Sequence, residues 1–284
     1  MKKFLRIIIF LAALVVFIFC AFQLFQKFRE YKESEDTYKK ISEAVKESPE
    51  DPSSSSQSTD SNNIQIDWEK FRDTDIVAWL QLGAISYPVM QDTDNNFYIH
   101  HLPDKTYNYG GSLFLQAENN FTFTDQNSII YGHNMANGSM FGNLKKYASA
   151  DFSNFYFKLY LPDGTCHTYS YLAVIHTTVG SDVYTYGFKD KEEFMNYQKK
   201  MQSISSVDCT ASPDPDKNLV TLSTCNGPAG TSQRLDIIGI ERNVEKVQNE
   251  ASWYQVKLKK RDNDLGTEVN NSISGNNYIS CKDQ

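Results

Sequence analysis

The sequence predicts a mainly β fold, a closed barrel of short strands with helical additions, carried behind a single membrane-spanning helix. Three observations lead there. Residues 4–25 are almost unbroken in apolar character. From residue 83 onward, short alternating runs recur between turn residues, the pattern of many short strands. Phe188–Ser206 departs from it, with Phe194, Met201 and Ile204 near helical spacing and Lys and Glu between them. That stretch reads as one amphipathic helix inserted among strands.

Taken in order, the apolar segment comes first. Ile7–Phe22 contains no polar residue except Cys20. As a helix, residues 4–25 reach about 33 Å, enough for a hydrocarbon core of about 30 Å. A cleaved leader fits less well. Phe19 sits at −3 from a cut after Ala21, where a small residue is needed. Ile18 and Phe19 before Cys20 also disfavour a lipoprotein site. Residues 1–25 are therefore expected to be an uncleaved anchor. Lys2, Lys3 and Arg6 before the span balance Lys27, Arg29 and Lys32 after it, so charge does not set the orientation. The acidic bulk behind an N-terminal anchor fits N-inside, C-outside.

Residues 26–47 are charge-rich, with Tyr31, Tyr38, Ile41 and Val45 as a thin apolar stripe, and read as a solvated helical stalk. Residues 48–63, SPEDPSSSSQSTDSNN, have no apolar residue to bury and read as a flexible linker. The globular part is expected from Ile64. Asp67 and the WEKFRDTDIVAWL that follows read as short helical segments, with Trp68, Phe71, Val77 and Leu80 on core faces. The strands expected after them are Ile85–Met90, Ser112–Gln116, Ser128–Tyr131, Phe155–Tyr160, Cys166–Ile175, Leu219–Thr224 and Leu235–Ile240. Pro162-Asp163-Gly164 is a turn between two of them. Residues 244–284 read as a tail in which Trp253, Tyr254, Val256 and Leu258 add a strand.

Composition excludes several classes. The 284 residues carry a net charge of −7, against a nucleic-acid role, which needs a basic face. A mean hydropathy of −0.50 excludes a polytopic membrane protein. Seventeen Tyr, eighteen Phe and three Trp are ample for one core. The five cysteines have no CxxC spacing, against a zinc ribbon or a redox dithiol motif. No acidic cluster has calcium-loop spacing, so neither metal nor cofactor is expected.

The chemistry converges on three strand ends. In Val220–Cys225, alternation puts Thr221, Ser223 and Cys225 on the more polar face, and Asn226-Gly227-Pro228 ends the strand. Cys225 thus stands at a strand tip. Most lone cysteines are buried spacers, so it needs partners to count as a nucleophile. Arg234 begins the next strand after an eight-residue loop. A hairpin would bring it beside Cys225, where a guanidinium lowers a thiol pKa or holds an oxyanion. His133 follows a strand and a glycine in Ser128–Asn134. The other histidines lie in a loop (His100, His101) or flank a strand (His167, His176). Cys225, His133 and Arg234 make a set suited to acyl transfer.

Together these segments resemble the sortases, cysteine transpeptidases of Gram-positive cell surfaces. TLSTC at 221–225 fits the family's TLxTC motif. Tyr131-Gly132-His133-Asn134-Met135, running on to Leu144, resembles the class B histidine segment. Ser223, the nine-residue step from Cys225 to Arg234, and the helix at 188–206 also suit class B. The resemblance covers residues 64–243, which it marks as a catalytic domain. It implies an eight-stranded barrel with N-terminal helices and an extracellular enzyme held by a single-pass anchor. It implies Cys225 as nucleophile, His133 as acid/base and Arg234 as substrate or oxyanion clamp. It further implies sorting-signal-bearing surface proteins with an Asn-Pro-x-Thr motif as substrates, read by Asn95, Ile99 and Ser223. A peptidoglycan precursor or cross-bridge amine is the implied acceptor. Class B members often carry an acidic residue two positions after the cysteine; Gly227 stands there in this chain.

Two other readings stay open at this point. A different thiol hydrolase needs an Asn or Asp to orient its histidine, and usually a nucleophile at a helix N-terminus. A non-enzymatic surface-binding barrel explains the anchor but not three reactive side chains at strand ends.

Overall fold

The structure, a computed structural model, describes residues 2–47, 63–227 and 231–260. It opens with helix α1, Lys2–Ser42. Residues 2–42 contain neither Gly nor Pro, so nothing interrupts the helix where the apolar segment gives way to the charged one. The mean hydropathy of its most apolar window is 3.0, and none of that window is buried. Its second half behaves differently from the expected solvated stalk. Tyr31, Tyr38 and Ile41 pack against the core. The Tyr38 hydroxyl lies 3.0 Å from both Gly111 O and Ser112 Oγ. Asn108 Nδ2 donates to Glu30 O at 2.8 Å, and the Lys27 ammonium sits 3.6 Å above the Tyr109 ring. The thin stripe thus has a partner that only the folded barrel supplies. Strand β1, Val45–Glu47, then pairs antiparallel with β2, Ile64–Ile66. The expected linker falls, apart from Asn63, outside the described residues.

Eight further strands close a barrel. They are β3 (Ile76–Leu82), β4 (Ile85–Met90), β5 (Leu113–Leu115), β6 (Asn127–Tyr131), β7 (Tyr156–Tyr160), β8 (Thr165–Thr178), β9 (Leu219–Cys225) and β10 (Gln233–Lys246). Around the barrel the order is β10-β8-β7-β3-β4-β5-β6-β9, with β9 pairing back to β10. Seven of these match the expected runs. The eighth is a correction: residues 76–80, expected within the helical segments, belong to β3. Only Trp68–Phe71 takes a short 3-10 turn, and the Asp73-Thr74-Asp75 step breaks it. IVAWLQL is buried at six of seven positions because β3 lies between β4 and β7 and is covered on both faces. Such a strand shows no alternation, and a short continuous apolar run does not reveal its period. Gly83 turns β3 into β4 at φ +55°, where a Cβ would meet the Tyr147 ring at 2.4–2.6 Å.

Helix α2, Lys191–Ser203, is the inserted amphipathic helix. Asp190 caps it, accepting from Glu193 N at 2.9 Å, while Glu193 Oε2 accepts from Lys189 N at 2.6 Å. Phe194, Tyr197 and Met201 pack on Leu172, Ile175 and Ile238 of β8 and β10. β10 runs on to Lys246, and packing continues past the expected domain end. Trp253 and Tyr254 are buried, and Trp253 Nε1 donates to Trp68 O at 2.9 Å. Residues 254–260 are helical where a strand was expected. Tyr254 and Leu258, four residues apart, turn one face of this helix to the core, while Val256 points away and is exposed. Residues 261–284 of the expected tail lie outside the described residues.

Candidate active site

Strand pairing brings the three reactive positions together. β6 and β9 are parallel, with Tyr131 opposite Ser223. Two residues past that pair come His133, just beyond the end of β6, and Cys225, the last residue of β9. β9 and β10 are antiparallel, with Arg234 directly opposite Cys225, so the expected hairpin forms. Local bonds fasten these ends. Gly132 N donates to Ser223 O at 3.2 Å, and Thr224 Oγ1 donates to Gly132 O at 2.7 Å. Asn134 Nδ2 donates to Cys225 O at 2.9 Å. Gly132 is needed where the strands meet. A Cβ there would lie 2.3 Å from Leu113 and 2.7 Å from Phe141.

Cys225, His133, Arg234, Ser223 and Ile99 line one pocket, with Phe114 and Tyr131. Its volume is about 20 Å³, room for one water. All three reactive side chains are 3–4% exposed. His133 Nε2 lies 2.6 Å from Ile99 O. A carbonyl only accepts, so Nε2 carries the proton and Nδ1 is the nitrogen left for proton exchange. The ring joins a cluster with His100, at 5.7 Å, and Tyr109, at 6.0 Å. Burial lowers its pKa to about 4, outweighing the Ile99 bond, and the neighbouring His100 lowers it further. The imidazole is neutral at neutral pH.

The Cys225 sulfur is in a disulfide, so this is the oxidised form of the site. Cys20, Cys166 and Cys209 are free thiols. Burial pushes Cys166 up to about 11 and also raises Cys209, which leaves both poorly nucleophilic. Arg234 Nη1 donates to Gln233 O at 3.2 Å and to Thr231 O at 3.5 Å, which holds the fork at the pocket wall. Burial lowers its pKa, against Tyr184, Asp236 and Tyr131, but a guanidinium stays charged.

Of the expected substrate-reading residues, Ser223 and Ile99 reach the pocket and Asn95 does not. Asn95 Oδ1 accepts from Ala117 N at 2.8 Å, and its Nδ2 donates to Glu118 Oε2 at 3.2 Å. It braces the segment after β5. Ile99 offers its carbonyl to His133 as well as a side chain to the wall. Sequence reasoning missed Tyr184, whose hydroxyl is 3.1 Å from Ser223 Oγ, and Asp236, fully buried behind both. Alternation along β10 does put Asp236 on the Arg234 face, and a carboxyl inside an otherwise apolar strand was the sign to read. Where class B often has an acidic residue after the cysteine, this chain has Gly227, and the hydrogen bond recorded for His133 goes to a backbone carbonyl.

No family model matches the chain. Sortase B of Listeria monocytogenes is 34% identical to it over 155 residues, 54% of this chain. The match spans 63% of that relative's length. The solved sortase B from Listeria monocytogenes is 30% identical, covering 60% of this chain and 97% of the other, with a TM-score of 0.52. The chain belongs to the sortase family, class B. Clostridium perfringens sortase B agrees, at 29% identity, 62% of this chain, 98% of the other and a TM-score of 0.56. This sortase therefore shares the fold of those relatives. Its site includes the buried Asp236 carboxyl, and its core includes Trp253 and Tyr254.

Proposed function

We propose that this sortase is a membrane-anchored cysteine transpeptidase. It cleaves an Asn-Pro-x-Thr sorting motif after Thr and transfers the protein to a cell-wall amine. The observation that carries the reading is the meeting of Cys225, His133 and Arg234, from three strand ends, around one pocket. Cys225, once reduced, gives its proton to His133 Nδ1. The thiolate is then an anion beside the imidazole, which favours the imidazolium. The sulfur attacks the Thr carbonyl carbon, and Arg234 donates to the oxyanion. The C–N bond breaks, the leaving amine takes the proton from His133, and a thioester remains on Cys225. An incoming amine attacks the thioester, loses its proton to His133, and expels the thiolate, which is reprotonated. Burial of all three groups limits access of water to the thioester.

A solved sortase B that shares the fold at a TM-score of 0.55 is complexed with triglycine, which supports an amine acceptor here. The apolar half of α1 supports a single-pass anchor, and a barrel outside the cell follows from the sortase reading. Asn95, braced away from the pocket, acts on the motif only through the loop it holds.

The test uses the full chain in detergent, reduced, with a fluorogenic peptide containing Asn-Pro-Ala-Thr-Gly. With triglycine present the expected product is the peptide ligated through Thr. Hydrolysis that triglycine does not redirect would instead mark a thiol hydrolase. Absence of any cleavage, with Cys225 alkylated no faster than Cys209, would refute the enzyme.

A further inference from the structure

Asp236 is a fully buried carboxyl that the proposed chemistry leaves unused. It shares a strand face with Arg234, and the β9–β10 register sets it opposite Ser223, as Arg234 is set opposite Cys225. Tyr184, from the short turn Asp182–Tyr184, donates its hydroxyl to Asp236 Oδ1 at 3.3 Å. The same hydroxyl is 3.1 Å from Ser223 Oγ. Asp236 Oδ2 has no hydrogen-bond partner among the described residues. A chain of polar groups thus runs from the barrel interior, through Tyr184, to the pocket wall.

Two hydroxyls ending on a carboxyl have two directions. An ionised Asp236 only accepts. Tyr184 then donates to it, Ser223 donates to Tyr184, and Ser223 turns lone pairs to the pocket. A protonated Asp236 donates to Tyr184, which donates to Ser223, and Ser223 turns its proton to the pocket. Arg234 already supplies donors there, so an acceptor beside it gives a bound peptide both poles. We propose that Asp236 is a positioning residue which, through Tyr184, sets Ser223 as the acceptor for an amide N–H of the sorting peptide. The proposal rests on the sortase activity argued above.

The surroundings make the direction reversible. Burial pushes the Asp236 carboxyl up to about 7, against the Ser223 and Tyr184 hydroxyls and the Arg234 charge. From α2, the Tyr197 hydroxyl also feels this carboxyl, while Tyr131 of β6 stacks on Tyr184 at 6.2 Å. On β8 the residue opposite is Ile175, which is uncharged. Ionisation around neutral pH therefore favours the acceptor direction as pH rises.

The test measures the Kd of a fluorescent peptide containing Asn-Pro-Ala-Thr-Gly for the full-length Cys225→Ala protein in detergent, from pH 5.5 to 8.5. Binding is expected to tighten about five-fold through a step near 7, the worth of about one hydrogen bond. In the same background Asp236→Asn, which keeps the shape, should hold the weaker value at every pH. Tyr184→Phe keeps the carboxyl and the Ser223 hydroxyl that acts on it but removes the bridging hydroxyl, and should shrink the step. With Cys225 present, KM should carry the step and kcat should not. A step that survives Asp236→Asn, one that Tyr184→Phe leaves unchanged, or one confined to kcat overturns the proposal. Peptide bound with a Kd indifferent to pH overturns this inference alone. No binding at any pH overturns the sortase activity and this inference with it.

Discussion

Replacing Arg234 with Lys separates charge from geometry at the pocket. Both side chains are cations, but the guanidinium presents a planar fork of donors and the ammonium a single mobile point. Arg234 is 3% exposed, opposite Cys225, with Nη1 steered by the carbonyls of Gln233 and Thr231. Lys does not reproduce two carbonyl bonds while also aiming a donor at the oxyanion. Loss of one oxyanion donor lowers the rate by about 10²–10³. That fall is expected in kcat/KM for Arg234→Lys, with Arg234→Ala within about ten-fold of it. The Ala variant carries a second effect, because Arg234 is one of the groups holding the Asp236 carboxyl down. The assay is kcat/KM on the Asn-Pro-Ala-Thr-Gly peptide under reducing conditions, with circular dichroism as the fold control. Near-wild-type turnover by Arg234→Lys would refute directed hydrogen bonding and leave Arg234 only its field. Near-wild-type turnover by Arg234→Ala would remove it from the site.

The disulfide on Cys225 predicts that the oxidised protein is inactive and that dithiothreitol restores turnover. Cys166→Ala and Cys209→Ala should keep that behaviour. A chain starting at Ile64 lacks the Tyr38 hydrogen bonds and the β1 pairing, so it should melt below one starting at Lys27; equal melting temperatures would dismiss the α1 contacts. His133 titrates at about 4 in the fold and about 6.5 unfolded. Between those values the unfolded chain holds the extra proton, so this residue's contribution to stability falls as pH drops from 6.5 to 4, by up to about 3 kcal/mol. Asp236 acts with the opposite sign, its raised carboxyl losing stability as pH rises from 3.8 toward 7. The difference in unfolding free energy between wild type and His133→Gln isolates the histidine, and a difference that does not vary with pH would contradict its burial as a neutral ring.

The two halves of the problem were legible to different degrees. Seven barrel strands, the inserted helix and the apolar span follow from local pattern: alternation, turn residues and length act over a few residues. The same locality exposed Cys225, Arg234 and His133, because each stands where a strand meets a turn, in motifs contiguous in the chain. β3 escaped because it is buried on both faces, and that cover exists only once β4 and β7 flank it in the closed barrel. The stripe Tyr31, Tyr38 and Ile41 looked too thin to bury until Gly111, Ser112 and Tyr109 stood against it. Asn95 looked like a reader of substrate by its place in a motif, and the fold spends its amide on Ala117 and Glu118 instead. The Ser223–Tyr184–Asp236 chain joins residues 39 and 52 positions apart, and the low dielectric that makes its carboxyl titrate near neutrality exists only inside the finished barrel. Sequence alone determined which side chains carry reactivity, since that is a property of residue type and local conformation. Tertiary structure decided their proton states and partners, since those depend on burial and on groups the chain brings together only by folding.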